Sequence, residues 1–342
     1  MKRRGTLPMT VTSNADGNDF STVDDMRALN TSASLDPYIA AMLSEGEPPL
    51  LDRATVPEAR EEARRRFRPI DRTVPVLDYV ADRTVTIERT DIAVRIYVPM
   101  ATRPMPMLLF IHGGGFVLGD LDTHDGICRH LAAGAGAIVV AVHYRRAPEH
   151  PFPAAVGDCA AVGAWIEAQS EFLGGDAQRI AIVGDSAGGT LAIAVVLQAV
   201  GVPIKALALV YPVTDYPDDR RESYRAFATG FGLTRQMMMT FWQLYAPDRQ
   251  NEAAPLRHGD LKRLPPTLVV TASHDILRDE GEAFAIKTMA AGVETQHKRV
   301  DGVTHGFLHL VGAVPAADTA MKMITEWLRD TLSSHSGNCE NA

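Results

Sequence analysis

Cysteine is scarce in this 342-residue chain: Cys128, Cys159 and Cys339 are the only three, with no C-x-x-C spacing. An odd count without that spacing excludes a disulfide framework and a zinc knuckle, and implies reduced thiols in a cytoplasmic protein. Excess positive charge is missing as well, since the net charge is −8. That leaves no cationic footprint for a nucleic-acid partner. Long apolar runs are also lacking. The most apolar segment, 191–211, is broken by Gln198, Gly201, Pro203 and Lys205, so it reads as helix, turn and strand and gives no stable membrane insertion. The start, Met1-Lys2-Arg3-Arg4, carries the charge of a secretion signal, but residues 5–20 are polar where such a signal has its apolar core. A soluble, unexported protein is expected.

What is present is hydrophobic content of 46%, ample for one large α/β domain or two of ordinary size. Residues 1–34 are polar and are expected to be mobile, as is the tail from His335. Two short helices follow, at 36–45, ended by Gly46, and at 57–67. The second has Thr55 and Glu58 in capping-box spacing, and its basic face, Arg60 and Arg64 to Arg66, is expected to be solvated. From Thr84 the period becomes strand-like, with an antiparallel pair at 84–88 and 92–98. Strands are then expected at 107–111, 137–142, 180–183, 206–211, 267–272 and 295–300. Helices are expected at 154–169, 187–200, 280–291 and 316–332. This alternation predicts an α/β fold with a mostly parallel sheet and helices on both faces. Residues 212–265 contain no strand pattern. Within them, 234–245 is rich in Met, Phe and Trp, suited equally to a core or to the underside of a lid.

Chemistry concentrates at Gly184-Asp185-Ser186-Ala187-Gly188, a G-x-S-x-G between an apolar strand and an apolar helix. In that context the serine sits on a strained turn, and side chains two positions either side of it would collide with the neighbouring strand and helix. The turn presents Ser186 above the sheet and aims the Ala187 amide at a developing oxyanion. The five-residue pattern alone would arise by chance on the order of one time in ten. Its company matters more. A serine hydroxyl needs a base, and the base needs an orienting group. Asp275 follows the strand at 267–272 and His305 follows the strand at 295–300, so all three lie at carboxyl ends of strands, in the order Ser, Asp, His. Among rival groups, His274 is expected to point away, His309 to pack, and Asp279 to cap or support. The run His112-Gly113-Gly114-Gly115-Phe116 follows the third strand, where the other half of an oxyanion hole belongs. No phosphate loop is completed anywhere.

His112-Gly-Gly-Gly-Phe116, Tyr144-Arg-Arg-Ala-Pro-Glu-His150-Pro-Phe-Pro-Ala-Ala155, Gly184-Asp-Ser-Ala-Gly-Gly189, Asp275-Ile-Leu-Arg-Asp-Glu-Gly281 and His305-Gly-Phe307 together resemble the hormone-sensitive lipase family. Within it they resemble the bacterial family IV carboxylesterases. The resemblance implies an eight-stranded α/β-hydrolase fold and hydrolysis of short- to medium-chain acyl esters through an acyl-enzyme. Ser186 would be the nucleophile, His305 the base and then the acid, and Asp275 its orienting partner. Gly114, Gly115 and Ala187 would form the oxyanion hole, with His112, Gly113 and Asp185 in support. Phe116, Trp242 and Phe307 would line the substrate pocket. No cofactor and no metal are implied; a homodimer through the eighth strand is. A helical cap would comprise residues 1–72 and an insertion at 212–250, with the catalytic domain at 73–211 and 251–342. Two positions depart from the family pattern: Ile276 stands where Pro is common, and Arg146 where Leu is. Neither removes a reactive group, so only loop stiffness is expected to change. The alternative function is that of a binding protein. Plant gibberellin receptors have this fold and keep the serine motif but lack the histidine, which this chain retains at 305.

Overall fold

The computed structural model describes residues 34–46, 51–67, 74–87, 90–198, 202–257 and 260–333. Expectations for residues 1–33, for His258, for Cys339 and for the tail from His335 lie outside these.

Eight strands form one sheet: β1 (Tyr79–Ile87), β2 (Thr90–Val98), β3 (Met105–Ile111), β4 (Ile138–His143), β5 (Gly175–Asp185), β6 (Ile204–Val210), β7 (Thr267–His274) and β8 (Thr295–Thr304). The spatial order is β1-β2-β4-β3-β5-β6-β7-β8. Pairings are antiparallel from β1 to β4 and parallel thereafter. The central strands are apolar throughout because both faces are covered. On β3, Leu109 and Ile111 enter one core while Leu108 and Phe110 enter the other, the period of two that a pleated strand imposes.

Helices α1 (Pro37–Leu43) and α2 (Val56–Arg66) precede the sheet. α3 (Asp125–Ala135) packs Ile127, Cys128 and Leu131 on one face of the sheet, beside the C-terminal α11 (Pro315–Ser333). α4 (Ala154–Ala168), followed by the single turn α5 (Ser170–Leu173), and α6 (Ala187–Gln198) cover the other face. Between β6 and β7 run α7 (Glu222–Ala226), α8 (Arg235–Tyr245) and α9 (Gln250–Ala253), with no strand among the described residues. α10 (Arg278–Ala290) links β7 to β8. Cys128 and Cys159 are buried and unbridged. No helix among the described residues is long and apolar enough to cross a membrane.

Three sequence readings need correction. Helix α3 was not anticipated: Gly126 and Gly134 dilute its helix propensity, although Asp125 and Arg129 form an i,i+4 pair at 2.7 Å and Gly136 closes it with φ 63°. The capping box is not formed. Thr55 Oγ1 accepts from the Asp52 amide at 3.0 Å, and the Asp52 carboxylate accepts the amides of Ala54 and Thr55, so the turn before α2 consumes both groups. Nor is the basic face of α2 simply solvated. Arg60 donates to both Glu149 oxygens at 2.7 and 2.8 Å and to the carbonyls of Val117 and Ala147. Arg64 pairs with the buried Asp120 at 2.5 Å. These guanidiniums fasten α2 to the loops after β3 and β4, because carbonyls left free by the irregular backbone need donors.

Glu280, on the first turn of α10, is fully buried and ties that helix to the start of the α7–α9 segment. Its Oε1 accepts the amides of Thr214 and Asp215 at 2.7 and 3.2 Å, and its Oε2 accepts the Tyr224 hydroxyl at 2.9 Å. Burial pushes its carboxyl up to about 8 despite these bonds. Between its ordinary value and 8 the folded chain holds a proton that the unfolded chain releases. Stability from this group is therefore fully present below the ordinary carboxyl range and is lost as pH rises through about 8. Urea unfolding midpoints taken from pH 5 to 9 should decline more steeply for the wild type than for Glu280→Gln; parallel profiles would contradict the assignment.

Candidate active site

Ser186 stands between β5 and α6 with φ 52°, a conformation that costs a non-glycine residue energy and persists only when its surroundings impose it. The surroundings do impose it. A Cβ on Gly188 would lie 1.9 Å from the Ile111 carbonyl oxygen of β3, and one on Gly184 would lie 2.4 Å from the Gly188 carbonyl. The Ser186 amide donates to Val210 at 2.9 Å, and its carbonyl accepts from Gly189 and Val213 at 3.0 Å each. The turn is thereby bonded to the neighbouring strand and to the helix that follows it.

The ends of β7 and β8 bring two more groups to this turn. His305 Nε2 lies 2.9 Å from Ser186 Oγ, and His305 Nδ1 lies 2.8 Å from Asp275 Oδ2. Asp275 is buried, and its other oxygen accepts the Leu277 amide at 2.9 Å. That bond fixes the carboxylate, the carboxylate fixes the tautomer of His305, and Nε2 is left to accept from the serine hydroxyl. The ring of Tyr211 meets the His305 imidazole edge-on at 4.8 Å. The rival groups are used elsewhere. His274 bonds Ser273 and stacks on Phe231, while Asp279 accepts the Ser223 amide and the Arg278 guanidinium.

Beside Ser186 the glycine loop takes left-handed conformations, with φ 110° at Gly114 and 60° at Gly115. A Cβ on Gly115 would fall 2.3 Å from the Phe241 ring of α8. The amides of Gly114 and Gly115 donate to no protein acceptor among the described residues, and Ala187, as the first residue of α6, has no intrahelical acceptor. Three N–H groups thus remain for a ligand. The loop is held from below. Gly113 donates to Asp185 Oδ1 at 2.8 Å, and His112 Nδ1–H donates to the Gly113 carbonyl at 2.8 Å while its ring stacks on Tyr144. Burial, then the neighbouring His124 and His143, push the His112 imidazole well below its ordinary value, so it is neutral and supplies one proton. Burial pushes the Asp185 carboxyl up, but His124 and the Gly113 amide outweigh it and keep the carboxylate ionised. Arg146, the departure from the family pattern, donates to the Gly119 carbonyl and braces the same loop.

A cavity of about 180 Å³ opens over Ser186 and His305. Its walls differ from the expected ones. Phe116, Trp242 and Phe307 do not line it: each is fully buried, Phe116 stacked on Tyr245 at 3.8 Å, Trp242 tilted against Phe116, and Phe307 edge-on to Tyr211. Met237, Met238 and Phe241 of α8 line it instead, together with Met42, Leu43 and Phe67 from around α1 and α2. Also on the wall are His309, expected only to pack, and His124, for which the sequence implied no role. Burial, then His124, push His309 down to about 3, and its ring lies tilted against Phe67 at 4.4 Å. The short spacing between the catalytic-type histidine and a second one, H-G-F-L-H, was the only available signal for His309.

The family described as alpha/beta hydrolase fold matches residues 108–309. Esterase LipI of Mycobacterium tuberculosis is 37% identical over 308 residues, covering 86% of this chain and 96% of its own. An ethyl acetate hydrolase of Pseudomonas putida is 36% identical, over 80% of this chain and 90% of its own. Among solved structures, an esterase of Pyrobaculum calidifontis superposes with TM-score 0.81 at 33% identity, over 86% of this chain and 98% of that one.

Proposed function

Because the chain belongs to the alpha/beta hydrolase fold family, in its hormone-sensitive-lipase-like branch of carboxylesterases, we propose that it is a serine carboxylesterase cleaving short- to medium-chain acyl esters. The observation that carries this reading is the unbroken chain of hydrogen bonds from Ser186 through His305 to Asp275, at 2.9 and 2.8 Å. Ser186 Oγ attacks the ester carbonyl carbon as His305 Nε2 takes the hydroxyl proton, and Asp275 stabilises the imidazolium so formed. The carbonyl oxygen gains its negative charge facing the amides of Gly114, Gly115 and Ala187. On collapse, His305 returns the proton to the departing alkoxide, leaving an acyl-serine. Water then attacks that acyl group with His305 again as base, and the carboxylic acid leaves as Ser186 regains its proton.

The apolar, small cavity supports short and medium acyl chains over long ones. Its walls come from α1, α2 and α8, which supports the reading of 1–72 and 212–250 as a cap over a catalytic domain at 73–211 and 251–342. Among the described residues β8 has a strand on one side only, which supports a homodimer through that edge, and the unbridged Cys128 and Cys159 support a cytoplasmic location.

Ser186→Ala should cut p-nitrophenyl butyrate turnover by on the order of 10⁴-fold or more while leaving circular dichroism unchanged; wild-type turnover would refute the assignment. Gly115→Ala forces either the loop or Phe241 to move, so turnover should fall about 10²–10³-fold, checked by steady-state kinetics on the same ester. In a series of p-nitrophenyl esters, butyrate should be cleaved faster than palmitate, and the reverse order would overturn the pocket assignment.

A further inference from the structure

We propose that His124, Asp185 and His309 form a binding site for Zn²⁺ in the wall of the cavity, and that filling it inhibits the enzyme. One donor atom from each residue lies within 4.8 Å of the other two. A tetrahedral zinc with nitrogen and oxygen ligands at about 2.0–2.2 Å needs those donors about 3.3 Å apart. His124 Nε2 and Asp185 Oδ1 already stand at 3.4 Å. The adjustment falls to His309, which is partly exposed on the cavity wall.

The second observation is an unmet valence. His124 is 4% exposed, yet its Nε2 has no hydrogen-bond partner among the described residues. Its other nitrogen lies 2.8 Å from Thr123 Oγ1, and that hydroxyl also lies 2.8 Å from the Asp120 carbonyl. A hydroxyl has one proton. Given to Asp120, it leaves His124 Nδ1–H to donate to Thr123, and the Nε2 lone pair then faces the Asp185 carboxylate, acceptor against acceptor. Given to His124, it puts the imidazole proton on Nε2, aimed at Asp185 with geometry that makes no bond. In either neutral tautomer the gap between Nε2 and the carboxylate suits a cation, and zinc would take the place of the proton through which a charged His124 pairs with Asp185. Thr123 meanwhile orients the ring from behind, as outer-shell partners of metal-bound histidines do. Two imidazoles and one carboxylate suit zinc, with the fourth position open to cavity water.

The predicted consequence is specific. Asp185 Oδ1 is the acceptor of the Gly113 amide, so a metal on that carboxylate competes for the atom anchoring the glycine loop. Turnover should fall more than KM rises, because the loss is of oxyanion stabilisation. The binding half of this inference stands apart from the proposed esterase activity; the inhibition half rests on it.

Chelator-treated Ser186→Ala protein, titrated calorimetrically with ZnCl₂, should bind one ion, and soaked wild-type crystals should give a zinc-edge anomalous peak between the three residues. His309→Phe keeps a ring against Phe67 but removes a ligand. Relative to its own zinc-free rate, it should need about 10–100-fold more zinc, or more, for half inhibition of p-nitrophenyl butyrate hydrolysis. A peak on His305 instead, unchanged inhibition of His309→Phe, or no heat with Ser186→Ala would each overturn the site. Zinc bound at these residues in a protein without esterase activity would refute the proposed function and leave the site standing.

Discussion

No side chain fits between Gly188 and the Ile111 carbonyl, where a Cβ would be 1.9 Å from oxygen, and much of the active site follows from that contact. It brings the start of α6 hard against β3, so the chain must turn abruptly after β5 and Ser186 is driven to φ 52°. The strain is met by three backbone bonds around the serine. It also puts the first amide of α6 beside the loop after β3, which is how donors from two separate strand ends come to face one point. Asp185, one residue before the serine, reaches across to hold Gly113. The nucleophile and the donors that would stabilise its product are therefore set by the same few atoms.

The histidine and the aspartate arrive on arms that are themselves fastened together. Gly302, three residues before His305, donates to Ser273 Oγ, two residues before Asp275. The Gly302 carbonyl in turn accepts the Asp36 amide at the start of α1 at 2.8 Å. The segment entering α1 is thus bonded directly to the histidine's arm and through Gly302 to the aspartate's, and Arg60 and Arg64 bond α2 to the loops on the other side. Glu280 does the same for the segment between β6 and β7. Elements far apart in the chain share these polar anchors because irregular backbone over a sheet end has few partners of its own.

How much of this was legible in the sequence follows from how local each signal is. Strands β3 to β7 were readable because each carries a short apolar run buried on both faces, whereas β8, with Gln296 exposed and Lys298 and Arg299 only partly buried, was readable from its place in the strand–helix alternation. The meeting of Ser186, Asp275 and His305 was readable from order, since each follows a strand of one parallel sheet. The pocket walls were not. On α8, whether Trp242 or Phe241 faces the ligand depends on how the helix is rotated over Phe116, a tertiary fact; the larger ring went to the core and the smaller one to Gly115. Arg60 and Arg64 looked like solvent-facing charge because their partners, Glu149 and Asp120, lie 89 and 56 residues away. His124 carried no motif and His309 only its four-residue spacing from His305, and only folding brings them to Asp185.

The central claim is that Ser186 is a nucleophile activated by His305. Peptide mapping by mass spectrometry after exposure to a fluorophosphonate tests it most directly, because phosphonylation needs the serine oxygen to attack and the base to take its proton. The account predicts one adduct per chain, on the peptide containing Ser186, and strongly slowed labelling in His305→Asn. An unlabelled Ser186, or labelling that proceeds equally fast without the imidazole, would contradict it.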